Sequence, residues 1–253
     1  MISHRVEDEA DAFVKVPSPE DDELRAYIEK TRPLMPYVPT YMNYTPGGVP
    51  RNVAGLTSDI LMCDPYVTNS GDLWKNVDHV LADIEALRGP GIEMGKPAFV
   101  FLVGYNMPNH FREITGPEQI AQTYGSITLG CTGLSYFIDI PTTLPHWKAL
   151  KQLNQEVLAL TNVICSEEET PQVSASEAKL RHITKKSEGY LYVISVNTAE
   201  NPIGKVTFTL PAEYKYDGKA EVMFEDRKLD VNNGKFTDEF PGYTRHVYKI
   251  KIK

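Results

Sequence analysis

Several things are scarce in this chain, and each scarcity excludes a class of protein. Only three of the 253 residues are cysteine (Cys63, Cys131 and Cys165). An odd, sparse count does not build a disulfide scaffold, and no CxxC or Cys/His spacing suggests zinc. No apolar run approaches the ~18 residues that a membrane-spanning helix needs. Cationic excess is also missing: Lys and Arg number 26 against 34 Asp and Glu, a net charge of −8. Such a chain lacks the surplus that releases counterions from a phosphate backbone, so nucleic acid is not an expected partner, and neither is a membrane. The opening residues MISHRVEDEA carry no basic start followed by an apolar stretch, so no signal peptide is read there. The paired glycines Gly47-Gly48 and the Gly89-Pro90-Gly91 run are turn signals and match no phosphate-cradling loop. The six histidines show no metal spacing. No metal and no organic cofactor is expected.

What is present is ordinary globular material, 42% hydrophobic and 24% charged, enough for one large domain or two smaller ones. Charge divides it unevenly. Residues 1–169 hold 12 basic and 23 acidic side chains, and residues 170–253 hold the remaining 14 and 11, so the net charge changes from −11 to +3. The polar run SEEETPQVSAS at 166–176 reads as a linker or domain edge.

Before that run, short apolar stretches alternate with amphipathic helices. Tyr37–Met42, Asp59–Cys63, Ala98–Val103 and Gly133–Ile138 read as strands. Their continuous apolarity suits strands buried on both faces of a parallel sheet. Leu73, Val77, Val80, Leu81, Ile84 and Leu87 form a helical stripe that Gly89-Pro90-Gly91 is expected to end. Pro117 opens another helix, His146 to Leu160 forms a third, and an acid-led helix is expected over Pro19–Lys30. After residue 169 the pattern is all-β. Strands are expected at Tyr190–Val196, Lys205–Leu210, Ala220–Phe224 and Thr244–Ile252, with a tight turn at Asn232-Asn233-Gly234.

A set of local motifs sharpens this outline. Val6-Glu7-Asp8-Glu9-Ala10-Asp11 resembles the "DEP"-type end of the fourth barrel strand in clan A-like glycoside hydrolases, with Ala10 in place of proline. Thr31-Arg32-Pro33 is similar to the "TRP" that precedes their fifth strand. Ser58-Asp59-Ile60 with Asp64-Pro65-Tyr66 resembles the sixth, and Lys96-Pro97 through Gly104-Tyr105 the seventh. Gly130-Cys131-Thr132-Gly133-Leu134-Ser135-Tyr136-Phe137 resembles the eighth. Phe240-Pro241-Gly242-Tyr243 with His246-Val247-Tyr248 is similar to the closing strand of their appended sandwich. The resemblance covers nearly the whole chain. It implies an α/β plus all-β protein: strands four to eight of a partial (β/α)8 (TIM) barrel over residues 1–168, then an antiparallel β-sandwich over 169–253. It further implies a secreted or periplasmic protein. A full barrel takes ~250 residues, so this reading makes the chain a fragment, a truncated homologue, or a half completed by a second copy or a partner chain.

The chemistry implied is hydrolysis of O-glycosidic bonds in a poly- or oligosaccharide, which needs two carboxyl groups flanking the bond. Side chains at the C-terminal ends of barrel strands form the site. Glu9 takes the general acid position, or else is a solvated acid in a charged loop. Asp64 is the second carboxylate or a hydroxyl ligand, or else a turn residue. Asp139 is a further binding candidate, with an Asx-turn as its alternative. Asn43 and Asn106 can exchange hydrogen bonds with hydroxyls. Tyr44, Tyr66, Tyr105 and Trp147 offer faces on which a pyranose stacks. The end of the seventh strand, where retaining enzymes of the clan place their nucleophilic Glu, reads Val103-Gly104-Tyr105-Asn106 and carries no carboxylate. Glu113 lies beyond it and reads as a loop or helix-cap acid. A carbohydrate-binding protein without turnover is the alternative function.

Overall fold

The apolar runs become neighbouring strands of one sheet, but burial on both faces is complete only at Ile60–Cys63: Ala98–Val103 is buried at alternate positions to begin with, and Gly133–Phe137 is only half-buried throughout. A computed structural model describes residues 4–8, 26–45, 58–66, 69–70, 73–74, 77–104, 113–137 and 141–253. Its backbone gathers into two compact units, the first of residues 1–112 and 131–139, the second of 113–130 and 140–253.

In the first unit, five strands stand in the order β1 (His4–Asp8), β2 (Thr40–Tyr44), β3 (Ile60–Cys63), β6 (Ala98–Val103) and β7 (Gly133–Phe137). Every pairing is parallel. Two short pieces, β4 (Asn69–Ser70) and β5 (Leu73–Trp74), pair separately with each other. All four residues of β3 are buried, as are Met42, Tyr44, Val100, Leu102 and Val103 on the flanking strands. Helix α1 (Val77–Glu93) lays Val77, Val80, Leu81, Ile84 and Leu87 into the same core. Gly133 stands opposite Phe99, whose ring fills the space a side chain would need: a Cβ there would lie 2.3 Å from it.

Three sequence expectations need correction here. The first apolar strand begins at Thr40, not Tyr37, because a turn closed by the Val38 N–H on the Met35 carbonyl (3.1 Å) leaves Tyr37 96% exposed. Leu73 belongs to a strand pair rather than to a helix. Helix α1 runs through Gly89-Pro90-Gly91 and stops at a Schellman turn. The Gly95 N–H donates to Ile92 and the Lys96 N–H to Gly91, at 3.1 and 2.8 Å, with Gly95 at φ 65°. Glycine enters that left-handed conformation without steric cost, which makes Gly95 the effective terminator. Of the helix expected over Pro19–Lys30, the described part is helical at 26–31, and the rest lies outside the described residues.

The second unit pairs helices with antiparallel sheets. Helix α2 (Gly116–Thr128) starts at a capping box, in which Thr115 and Glu118 each satisfy the other's backbone N–H. Pro117 sits in its first turn, as expected. Helix α3 (Leu144–Ala159) and a single turn, α4 (Thr161–Ile164), follow. One sheet has β13 (Arg227–Asp230), β12 (Tyr216–Val222), β15 (Arg245–Ile252), β10 (Tyr190–Val196) and β9 (Arg181–Ser187), in that order. The other has β14 (Lys235–Phe240), β11 (Gly204–Thr209) and β8 (Ser174–Ala175).

The two sheets share one apolar core. Leu191, Val193, Tyr248 and Ile250 come from the first, and Val206, Phe208, Phe236 and Phe240 from the second. The Phe208 and Phe236 rings stack at 4.9 Å. Asn233 and Gly234, at φ 50° and 71°, make the tight turn expected from the sequence. The 166–176 run is not wholly a linker: Val173 is buried in the core, and β8 pairs with β11. Ala220–Phe224 is strand only to Val222, and Phe224 enters a turn at φ 67°.

Candidate functional site

Register sets the level of each side chain at the C-terminal rim of the parallel sheet. Tyr44 pairs with Cys63, Cys63 with Val100, and Val103 with Phe137. Asn43 and Tyr44 therefore end β2, and Asp64 follows directly on β3. All three are buried, Asp64 at 5% exposure. The Tyr66 hydroxyl donates to Asp64 Oδ2 at 3.2 Å. Its ring stacks on Phe137, with centroids 5.1 Å apart and planes 25° apart. On β6, between them in strand order, the Gly104 N–H donates to the Phe137 carbonyl at 2.9 Å. A Cβ on Gly104 would lie 3.3 Å from Tyr136 Cβ, so this end of the strand has little room for a side chain.

The structure thus brings Asp64 and Tyr66 into contact and places Asn43 and Tyr44 on the same rim. Glu9, Tyr105, Asn106 and Asp139 lie outside the described residues. Trp147 belongs to the second unit, on helix α3, and is 52% exposed. Phe137 and Gly104 were not among the site residues expected from sequence. Their only signal was the absent carboxylate at Val103-Gly104, which identified the gap without saying what fills it.

The opposite ends of the strands carry a different cluster. Asp59 accepts from the Thr40 N–H (2.8 Å), the Thr40 hydroxyl (2.9 Å) and Arg32 (2.9 Å). Burial would raise its pKa, but these hydrogen bonds, led by the Thr40 N–H, hold it below the ordinary value. Arg32, from the Thr31-Arg32-Pro33 motif, therefore anchors strand starts.

Glu113 is a cap acid, as the sequence suggested. It accepts from the Thr143 N–H at 2.9 Å, the Thr143 hydroxyl at 3.0 Å and the Thr142 hydroxyl, at the start of helix α3. His146, fully buried, sets Nδ1 3.2 Å from Glu113 and Nε2 2.9 Å from Gln119 Oε1. Burial opposes ionisation of Glu113, but the hydrogen bonds from Thr142, Thr143 and His146 lower its pKa.

Further along the second unit lies a buried ionic network that the sequence did not announce. Arg245 forks onto both oxygens of Glu156, and the Tyr124 hydroxyl donates to Glu156 at 2.6 Å. Arg245 also donates to Glu225 (3.1 Å), which meets His246 Nδ1 at 2.6 Å and accepts from Arg227 at 2.8 Å. Arg227 forks onto Asp238, and Asp238 also accepts from Tyr248 at 3.0 Å. Burial, then the Glu156 charge, push the Tyr124 phenol well above its usual range and keep it a donor.

Burial pushes the Cys131 thiol up to about 12. Among the described residues no cluster of His, Cys, Asp and Glu could hold a metal ion, and no helix is long and apolar enough to cross a membrane.

The sequence matches no known protein-family model and no curated protein. Solved structures do match. A candidate α-galactosidase from Bacteroides fragilis aligns with 95% of this chain at 13% identity and a TM-score of 0.59. Isomaltulose synthase from Klebsiella sp. aligns with 99% at 12% and 0.53, and a family 30 subfamily 8 xylanase from Clostridium acetobutylicum with 91% at 10% and 0.53. This chain spans 53%, 65% and 60% of their respective lengths. At such identities the likeness concerns the fold alone.

Proposed function

We propose that the protein is glycoside hydrolase-like and acts on O-glycosidic bonds of a poly- or oligosaccharide. In this reading β1, β2, β3, β6 and β7 are strands four to eight of a (β/α)8 barrel within residues 1–168, and residues 169–253 are an appended β-sandwich. The single observation that carries it is the position of Asp64: a buried carboxylate directly after a central parallel strand, where barrel enzymes keep their reacting groups. Glu9, just past the end of β1, protonates the departing oxygen, and Asp64 acts opposite it. Asn43, Tyr44, Tyr105, Asn106 and Asp139 are the residues this reading assigns to holding the sugar. Trp147 is a stacking surface of its own on the second unit. No step calls for a metal or cofactor. The free edges of β1 and β7, the outermost strands of the described sheet, are where a second copy or partner chain would complete the barrel.

The test is hydrolysis of a panel of polysaccharides and aryl glycosides by the full chain. Glu9→Gln and Asp64→Asn should each lower turnover by about 10²–10⁴-fold. Unchanged turnover in either variant removes that residue from the reaction. A second reading, glycan binding without cleavage, is favoured by one observation: β6 runs out into Val103-Gly104 with no carboxylate. Measurable glycan affinity with no turnover selects it.

A further inference from the structure

Tyr66 is held from two sides, and neither hold depends on a ligand. Its hydroxyl is on Asp64 Oδ2 at 3.2 Å and its ring lies against Phe137 at 5.1 Å. Asp64 follows β3 and Phe137 ends β7, with β6 between those two strands. The pairings of Cys63 with Val100 and Val103 with Phe137 put Tyr66, three residues past Cys63, at the level of Phe137. The aromatic pair therefore spans the end of β6, at the place where Gly104 ends the strand without a side chain. Phe137 is itself fixed there, since its carbonyl accepts the Gly104 N–H at 2.9 Å. Pro65, between Asp64 and Tyr66, is buried, and its ring locks the backbone that joins them.

Resting on the reading of Asp64 as a reacting carboxylate, we propose that Tyr66 is a positioning residue for Asp64, with Phe137 as its buttress. The phenol fixes the plane of the carboxylate by taking Oδ2 and favours its charged form, since a hydrogen bond donated to a carboxylate stabilises the anion. Stacking on Phe137 keeps the phenol from swinging away when a ligand enters. The 3.2 Å separation is longer than the about 2.5–2.7 Å of the strongest charge-assisted pairs. A tyrosine acting only as a sugar platform would need neither contact.

The experiment is a carbon-detected titration of the Asp64 carboxyl in full-length protein labelled at aspartate Cγ, the resonance being assigned by its loss in Asp64→Asn. Tyr66→Phe should move the Asp64 midpoint upward with no ligand present. Phe137→Leu, which keeps the hydroxyl but frees the ring, should move it in the same direction by less. An Asp64 midpoint that stays in place in Tyr66→Phe overturns the proposal. In hydrolysis, Tyr66→Phe should lower kcat about tenfold with KM unchanged. A raised KM at constant kcat would instead make Tyr66 a substrate contact and also overturn it. If Asp64→Asn leaves turnover intact, the reading of Asp64 fails, and the titration still decides whether Tyr66 positions it.

Discussion

The two units bury polar groups on different terms. In the second, Glu156 and Arg245 are 3% and 9% exposed, and the charges around them alternate in sign along Glu156, Arg245, Glu225, Arg227 and Asp238. Each carboxylate meets at least one guanidinium, and the hydrogen bonds from Tyr124 and Tyr248 take up further acceptor positions. Such a cluster offsets its own desolvation and serves to fix one arrangement of helices and strands. In the first unit, the buried carboxylate Asp64 takes a phenol hydroxyl at the rim of the sheet. Compensated burial of the first kind marks a joint.

The network is most vulnerable at Glu156. Glu156→Ala leaves Arg245 buried without its main counter-ion and should cost about 3–5 kcal/mol in denaturant unfolding. Replacing both partners, as Glu156→Leu with Arg245→Met, should recover most of that loss. If the double variant is as unstable as the single, the network is more than a self-compensating joint.

Acid probes the same network next. Burial would raise the pKa of Glu225 and of Asp238. Hydrogen bonds from His246 and Arg227 to Glu225, and from Arg227 to Asp238, hold them instead below the ordinary 4.5 and 3.8. A depressed folded-state pKa gives stability that is complete above those ordinary values and is lost as pH falls below them. Chemical unfolding followed from pH 7 down to pH 3 should therefore weaken toward the acid end, and Arg227→Met should flatten that slope.

Packing gives a smaller contrast between the units. A Cβ on Gly242 would lie 1.8 Å from the Glu200 carbonyl oxygen, which is backbone, whereas one on Gly133 meets the Phe99 ring first, at 2.3 Å. Gly242→Ala should cost about 3 kcal/mol, and Gly133→Ala less, by an amount set by how far Phe99 can swing, both read from thermal unfolding. The smallest effect is at the capping box, where Thr115→Ala should cost about 1 kcal/mol by the same measurement.

Legibility followed locality. Tyr190–Val196 and Ala98–Val103 were readable to the residue because apolar runs with β-branched and aromatic members suit little else. The helix start at Pro117 and the Asn233-Gly234 turn are likewise local chemistry, whereas the Thr115–Glu118 capping box went unread. Strand β9, RHITKKS, was passed over because its charges hide any apolar alternation. The end of α1 was misplaced because Gly89-Pro90-Gly91 looks like a stop, while the Schellman geometry sits one turn later. At the rim, Asp64 was legible from its motif. The Tyr66–Phe137 stack was not, since it joins residues from different strands. Glu156 and Arg245 meet across a sequence separation of 89, which no pattern in a single sequence reveals.

That polar β9 has a use of its own. It forms one margin of the five-stranded sheet with Arg181, Lys185 and Lys186, and the other margin, β13, carries Arg227 and Lys228. Charged side chains along a sheet margin, even paired ones such as Lys186 with Glu168 at 3.3 Å, make that margin a poor template for another strand. The strand hardest to recognise in the sequence is thus the one whose polar side chains blunt an edge of this sheet.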